Sequence, residues 1–157
     1  MYKKNYIIYL AGILDGEGWF SVQKHIRKNG QSYSYMPVIG VANTNKVLMD
    51  WLIDNFGGSI IERQPNIKQF GGKLRYEWRP KWSITKLLLK KVIPFLILKQ
   101  NQAKILEKIG DTLSVKYRHC GVPKHILDKR ELLYLELRKL NNTHHHIYPL
   151  LNLVKEK

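Results

Sequence analysis

Two carboxylates lie close together near the start of the chain, in the segment LAGILDGEG at residues 10–18. Asp15 and Glu17 are separated by a single glycine. Carboxylate oxygens are the ligands that hard divalent cations such as Mg²⁺ prefer. A glycine-spaced pair of acids is a weak signal alone, so the surrounding residues and the charge of the chain decide how it is interpreted.

Histidine and cysteine residues form a second candidate metal site. His119, Cys120 and His125 lie near one another in the sequence, but a single cysteine without a CxxC partner argues against zinc. We interpret His144–His146 as a polar loop. The sequence contains no GxxxxGK[ST] segment, so we expect no nucleotide cofactor.

The charge is the most informative feature of the composition: 27 Lys and Arg against 12 Asp and Glu give +15. Two long regions, 18–49 and 78–106, contain no acid. Regions of one sign repel themselves unless a polyanion neutralises them, which favours a nucleic acid partner. A solvated cationic surface is the alternative. An anionic membrane is disfavoured, because we find no basic amphipathic helix flanked by Trp.

The composition also bears on location. The sequence has no run of about 18 apolar residues, so we expect no membrane span. Cys120 is the only cysteine, which excludes an internal disulfide and favours a reducing, intracellular compartment. Lysine outnumbers arginine, and Asn and Ile are common, as in AT-rich genomes. An organelle is therefore the more specific hypothesis.

Hydrophobic periodicity predicts the element order αββαββα followed by a helical tail. Helices are predicted at 6–16, 43–56, 84–93, 99–109 and 126–140, strands at 19–27, 33–42, 59–64 and 73–83, and an irregular segment at 111–123. This order predicts an α+β fold with helices collected on one face of an antiparallel sheet. We expect a single domain over 1–157, with its core at 6–110 and its tail at 111–157.

The strands alternate between apolar and polar residues, which predicts a sheet with one buried and one open face. Trp78 and Trp82 fall on the apolar face and are expected in the core, and Pro37 predicts an edge position or a bulge. The polar residues suit base edges in a major groove, where Arg pairs with guanine, Gln with adenine and Glu with cytosine. An ordinary solvent face is the alternative. The predicted DNA-facing residues are Ser21, Gln23, His25, Arg27, Ser34, Met36, Glu62, Gln64, Arg75, Glu77, Arg79 and Lys81.

LAGILDGEG resembles the LAGLIDADG motif of the homing endonucleases. Two further segments are similar to that family. Residues 43–45 with 56–58 resemble its second helix and exit, and residues 94–103 resemble the segment that carries a basic active-site residue. The resemblance covers most of residues 6–110, while the tail resembles the family only in being helical and rich in leucine.

The resemblance implies a homodimer, because family members with two motifs fold as pseudo-symmetric monomers and this chain has one. Small residues let two helix backbones approach closely, so the motif helices are expected to pair across the two-fold axis. The predicted dimer-interface residues are Leu10, Ala11, Gly12 and Leu14.

The resemblance also implies a metal centre. Glu17 takes the ligand position, where the family more often has Asp, and the Gly16 carbonyl is the second expected ligand. Two Glu17 carboxylates, one from each subunit, would repel unless a cation lies between them, and hard oxygen ligands suit Mg²⁺. Ca²⁺ is expected to support binding without cleavage. Asp15 is expected to bind backbone N–H groups at the junction of helix and strand.

Three more residues are assigned to the catalytic centre by the same resemblance. Lys99 matches the basic residue that stabilises the transition state or nearby solvent, and the alternative is a phosphate-contacting surface lysine. Asn43 matches a water-positioning residue, and a helix N-cap is the alternative. Lys46 is interpreted as the replacement for a nearby basic residue.

The expected function is therefore that of a sequence-specific double-strand DNA endonuclease. The family implies metal-dependent cleavage of a long pseudo-palindromic site to leave short 3′ overhangs. An intron RNA maturase and a catalytically inactive DNA-binding protein are the alternatives.

Overall fold

The computed structural model describes residues 2–26, 33–64, 74–114 and 121–143. The predicted element order and the α+β class are confirmed. The elements are α1 (Lys4–Glu17), β1 (Gly18–Ile26), β2 (Tyr33–Asn43), α2 (Lys46–Phe56), β3 (Ser59–Arg63), β4 (Arg75–Arg79), α3 (Trp82–Val92), a 3₁₀ turn (Ile93–Phe95), α4 (Gln100–Ser114) and α5 (Lys124–Thr143).

The four strands form one antiparallel sheet in the order β1-β2-β4-β3. β1 and β2 pair in continuous register from Gly18↔Val41 to Ile26↔Tyr33. Among the described residues, β4 pairs with β2 only at Val41–Asn43, so most of the β1–β2 hairpin extends beyond it. Pro37 lies in this extension with no break in register, so it occupies an edge and not a bulge.

One face of the sheet packs against the helices. Trp78 is fully buried, as predicted, and its indole N–H donates to the Gly57 carbonyl at 2.8 Å. Paired residues of neighbouring strands share a face, so the other sheet face, called the outer face below, is fixed by the register. Buried residues of the sheet that face the helices are Phe20, Val22, Tyr35, Pro37, Ile39, Val41 and Trp78.

The end of β4 differs from the predicted strand. β4 stops at Arg79, because Pro80 has no N–H to continue the ladder. Trp82 therefore begins α3. Its indole ring packs against Gly110, where a Cβ would lie only 2.7 Å from the ring. Lys81 precedes that helix and is not a strand residue, which corrects its predicted place on the outer face.

The described part of the tail belongs to the fold. α4 continues to Ser114, beyond its predicted end, and the buried residues Leu133 and Leu137 of α5 join the core. The buried Arg130 donates from Nε to the Thr112 hydroxyl at 2.9 Å and from Nη2 to the Thr112 carbonyl at 2.8 Å, which ties α5 to α4.

A second tie links α5 to the β1–β2 hairpin. Lys24, the polar exception on the apolar face of β1, lies with its Nζ 2.7 Å from Glu131 Oε2. The Tyr35 hydroxyl also donates to Glu131. Burial opposes the charged form of Glu131, but the hydrogen bonds from Lys24 and Tyr35 outweigh it and lower the pKa of the carboxyl. Two strands and one helix therefore share a single carboxylate.

We predict that Glu131→Gln reduces the free energy of unfolding at pH 7 by about 2 kcal/mol, because it removes charge-assisted hydrogen bonds. A carboxyl whose pKa is lowered by folding stabilises above its unfolded value, here 4.5, and loses that contribution as the pH falls through its folded pKa. The difference between variant and parent should therefore shrink below pH 4.5 in chemical denaturation at fixed protein concentration. Glu136→Gln, on the exposed side of α5, is the control, and an equal loss in both variants would contradict the assignment.

Candidate active site and nucleic-acid interface

Glu17 is the last residue of α1 and is exposed. The following residue, Gly18, already belongs to β1, and a Cβ there would lie 2.6 Å from the Cα and carbonyl oxygen of Leu14. Only glycine allows the helix to pass so closely into the strand. The junction therefore fixes Glu17 at the point where the helix meets the sheet.

A depression of about 280 Å³ lies beside this junction and is called the Glu17 cavity. It is lined by Glu17, by Ala42, Asn43 and Thr44 at the end of β2, and by Arg75 at the start of β4. The predicted catalytic residues Glu17 and Asn43 are thus brought together. Arg75, which was predicted only to contact DNA, lies with them.

Asp15 holds the segment before α4 against the end of α1. Its carboxylate accepts the backbone N–H of Ile97 at 2.7 Å and that of Lys99 at 3.0 Å. The expected bonding of Asp15 to backbone N–H groups is confirmed, although the partners are in the 97–99 segment. Asp15 thereby positions the backbone of Lys99.

Lys99 reaches the same helix end with its side chain. Its Nζ donates to the Leu14 carbonyl at 3.1 Å and to the Gly18 carbonyl at 2.7 Å. Burial lowers the pKa of Lys99, and the negative charges of Asp15 and Glu17 partly offset that effect. The lysine therefore binds one carbonyl of α1 and one of β1, and it places a positive charge near Glu17.

Asn43 and Lys46 behave differently from each other. Asn43 accepts the N–H of Asn45 at 2.9 Å and lines the Glu17 cavity, while Asn45 is the N-cap of α2. The alternative N-cap role for Asn43 is therefore wrong. Lys46 bonds to Asp50 at 2.8 Å on the exposed side of α2 and is not among the residues that line the Glu17 cavity, so its assignment to the catalytic centre stays a prediction.

The end of α1 offers part of the ligand set that a divalent cation needs. Glu17 offers exposed carboxylate oxygens, and Gly16 lies in the last turn, whose carbonyls lack helical partners. These are hard oxygen donors of the kind that Mg²⁺ and Ca²⁺ take. In the described part of the chain, no three His, Cys, Asp or Glu side chains gather as a metal site.

The register places most of the predicted DNA-facing residues of the hairpin on the outer face. Gln23 pairs with Met36 and His25 with Ser34, and Ser21 lies on the same side. Met36 is 43% exposed, so the face remains open there. Arg27, like His119, Cys120 and His144–His146, lies outside the described residues.

The register corrects the prediction for β3. Ile61 pairs with Glu77 and Arg63 with Arg75, so Ile61 and Arg63 share the outer face, whereas Glu62 pairs with Tyr76 on the helix side. Adjacent isoleucines at 60 and 61 gave no alternation from which to choose the face. Gln64 follows the end of β3 and is exposed.

Glu77 lies on the outer face but does not present its carboxylate to solvent. It is 7% exposed and binds Nη2 of Arg75 at 2.8 Å, Nη2 of Arg79 at 2.7 Å and Nε of Arg63 at 3.2 Å. Burial raises the pKa of Glu77, but the hydrogen bonds and positive charges of Arg63 and Arg79 lower it by more, so the net shift is downward. The predicted contact of Glu77 with a cytosine is therefore corrected, since its oxygens serve three guanidinium groups, called the arginine cluster below.

The exposed side of α1 differs from the predicted dimer surface. Leu10, Ala11 and Leu14 have no exposed surface and pack in the core of their own chain. Gly12 is exposed, and a Cβ there would meet nothing within 4 Å. Ile8, one helical turn before Gly12, is 46% exposed. Of the four predicted interface residues, only Gly12 is available to a second chain.

No family model matches the sequence. The DNA endonuclease I-CreI of Chlamydomonas reinhardtii is 28% identical over 118 residues, which cover 71% of this chain and 66% of that protein. Among solved structures, the homing endonuclease I-CvuI, in complex with an I-CreI target and 2 mM Mg, has a TM-score of 0.68 at 20% identity and covers 87% of this chain and 82% of its own.

The archaeal intron-encoded homing endonuclease I-Vdi141I, complexed with DNA, has a TM-score of 0.67 at 20% identity. The match covers 88% of this chain and 86% of that one. The chain is therefore similar in sequence to I-CreI and has the fold of I-CvuI and I-Vdi141I. None of the described helices is long and apolar enough to cross a membrane.

We predict that Asp15→Asn lowers the free energy of unfolding by about 1–3 kcal/mol, because an amide cannot accept both backbone N–H groups. Hydrogen exchange followed by NMR should show faster exchange at the amides of Ile97 and Lys99. Asp54→Asn, at an exposed position of α2, is the matched control. Unchanged protection of both amides would contradict the role of Asp15.

Proposed function

We propose that this chain is a sequence-specific double-strand DNA endonuclease that works as a homodimer. The observation that carries the proposal is the position of Glu17, which lies beside Asn43 and near Lys99 at the end of the helix that carries the exposed Gly12. The relative I-CreI is a DNA endonuclease, and the structurally similar I-CvuI and I-Vdi141I bind DNA, which supports the proposal.

The outer face supplies the DNA-binding surface. Ser21, Gln23, His25, Ser34 and Met36 extend along the hairpin, whose two strands are narrow enough for a major groove. The arginines of β3 and β4 lie on the same face nearer Glu17. Each subunit would contact one half-site of a pseudo-palindromic target. The two catalytic centres would meet across the minor groove and cut both strands to leave short 3′ overhangs.

Hydrolysis adds a water oxygen to phosphorus and breaks the bond to the 3′ oxygen, which takes a proton. Glu17 and the Gly16 carbonyl would hold Mg²⁺, which when bound polarises the phosphate and steadies the leaving oxygen. Asn43 orients water at the cavity through its side-chain amide. The Lys99 ammonium, held between two carbonyls, stabilises the growing negative charge without reorganising.

Ca²⁺ should allow binding without cutting, and I-CvuI in complex with its target was crystallised in the presence of 2 mM Ca. The single cysteine supports a reducing compartment, and the bias toward Lys, Asn and Ile supports an organellar origin.

We predict that Glu17→Gln binds the target in Ca²⁺ with an affinity within about threefold of the parent and loses at least about 100-fold in cleavage rate in Mg²⁺. The target is first obtained by selecting cleaved sites from a DNA library and sequencing the cut ends. Glu136→Gln, far along α5, is the charge-matched control.

The outcomes separate the alternatives. Surviving cleavage in Glu17→Gln would refute the metal-ligand assignment. Folded parent protein that cuts no site, yet binds one tightly whether or not Mg²⁺ or Ca²⁺ is present, would be an inactive DNA-binding protein. Restoration of splicing of a host intron RNA without DNA cleavage would favour a maturase.

We predict that Gly12→Gln prevents dimerisation without harming the subunit. In one chain nothing lies within 4 Å of the added Cβ, and replacing a helical glycine with glutamine stabilises the helix by about 0.5–1 kcal/mol. Two α1 helices could no longer approach closely at that position. Sedimentation velocity at micromolar concentration should show a folded monomer, whereas the control Asn142→Gln should sediment as the parent does. A dimeric Gly12→Gln protein would place the interface elsewhere.

A further inference from the structure

Three guanidinium groups of the arginine cluster share one carboxylate. Arg63, Arg75 and Arg79 all bind the carboxylate of Glu77. The carboxylate is nearly buried, whereas the side chains of Arg63, Arg75 and Arg79 retain 46%, 29% and 27% of their surface. The acceptor is therefore inside and the donors face outward. Such an arrangement favours an external anion over a purely structural ion pair.

The three arginines are held in different places along the outer face. Arg79 is fixed by Glu77 and by the ring of Trp19, whose centroid lies 5.2 Å from its guanidinium carbon. Arg63 is bound at the end of β3. Arg75 alone among the three lines the Glu17 cavity, because the pairing of Asn43 with Tyr76 brings the start of β4 against the end of β2.

Among the described residues, Arg75 lines the Glu17 cavity, whereas Lys46 and Lys99 do not. Lys46 is held by Asp50 on the exposed side of α2, and Lys99 uses its ammonium to bind two carbonyls of the α1–β1 junction. A phosphate that approached Glu17 through the cavity would therefore meet Arg75. Arginine presents planar donors that match phosphate oxygens, and a donor already held in position stabilises developing charge most effectively.

We propose that Arg75 is a further residue of the catalytic centre, where it binds the phosphate being cut, and that Glu77 is the positioning residue that holds it there. The proposal rests on the proposed endonuclease function. Glu77 acts only through the arginines, because its carboxylate is buried beneath them. The arginine cluster thus extends from the outer face to the Glu17 cavity at the end of α1.

The decisive comparison is between Arg75→Gln and Arg63→Gln. Both substitutions remove one positive charge from the same carboxylate, but only the first changes the lining of the Glu17 cavity. Binding is measured in Ca²⁺, and the single-turnover rate is measured in Mg²⁺ at saturating protein. Both variants should bind DNA more weakly, whereas Arg75→Gln alone should lose about 100-fold in rate. Lys108→Gln, on the exposed side of α4, controls for loss of charge on the helix side.

Two further measurements test positioning. Guanidinium ion added to Arg75→Ala should restore part of the rate, measured against the same ionic strength of KCl, and should not restore Arg63→Ala. Glu77→Gln should lower the rate about 10-fold with binding in Ca²⁺ unchanged or tighter, because the variant gains positive charge and loses only orientation. A purely structural Glu77 would instead lower the melting temperature and the affinity together.

If the parent cuts its target and Arg75→Gln cuts at the parental rate when saturated, the inference is wrong and the endonuclease proposal stands. If the parent cuts no site, the proposed function itself fails. Should Glu77→Gln not fold, the pair of arginine variants still decides the role of Arg75.

Discussion

The close passage of Gly18 beneath the last turn of α1 is the constraint on which the site depends. Its missing side chain lets the chain leave the helix and enter β1 with no intervening loop. Glu17 is therefore fixed by two rigid elements, the helix α1, on which Gly12 is exposed, and the strand β1, which begins the outer face. A loop at this point would give the carboxylate a freedom that the proposed metal site could not tolerate.

The junction in turn depends on a contact from far along the chain. The Lys99 side chain donates to the Leu14 carbonyl of α1 and to the Gly18 carbonyl of β1, while Asp15 holds the backbone of Lys99. The α1–β1 junction thereby gains a positive charge, and the Lys99 ammonium is held in a fixed position. Stability and the proposed chemistry thus use the same lysine, and the burial that lowers its pKa comes from that packing.

The parts of this structure that the sequence predicted well are those with a clear period or motif. Alternation in β1 and β2 gave the correct outer face, and LAGILDGEG located the helix end. The failures have physical reasons. Leu10 and Leu14 could serve either a dimer or the subunit core, and periodicity cannot say which partner a helix face meets. In β3, two adjacent isoleucines hid the register, so Arg63 was missed.

Glu77 shows a second limit of prediction from sequence. Its charge predicts a place on the polar face of the sheet, but not whether its carboxylate meets solvent or neighbouring arginines. The same reasoning applies to Glu131 beneath the sheet, where a carboxylate holds Lys24 and Tyr35. In a chain of net charge +15, these two acids organise cations on opposite faces of one sheet. On the helix side the carboxylate ties a lysine to α5. On the outer face one carboxylate holds three arginines.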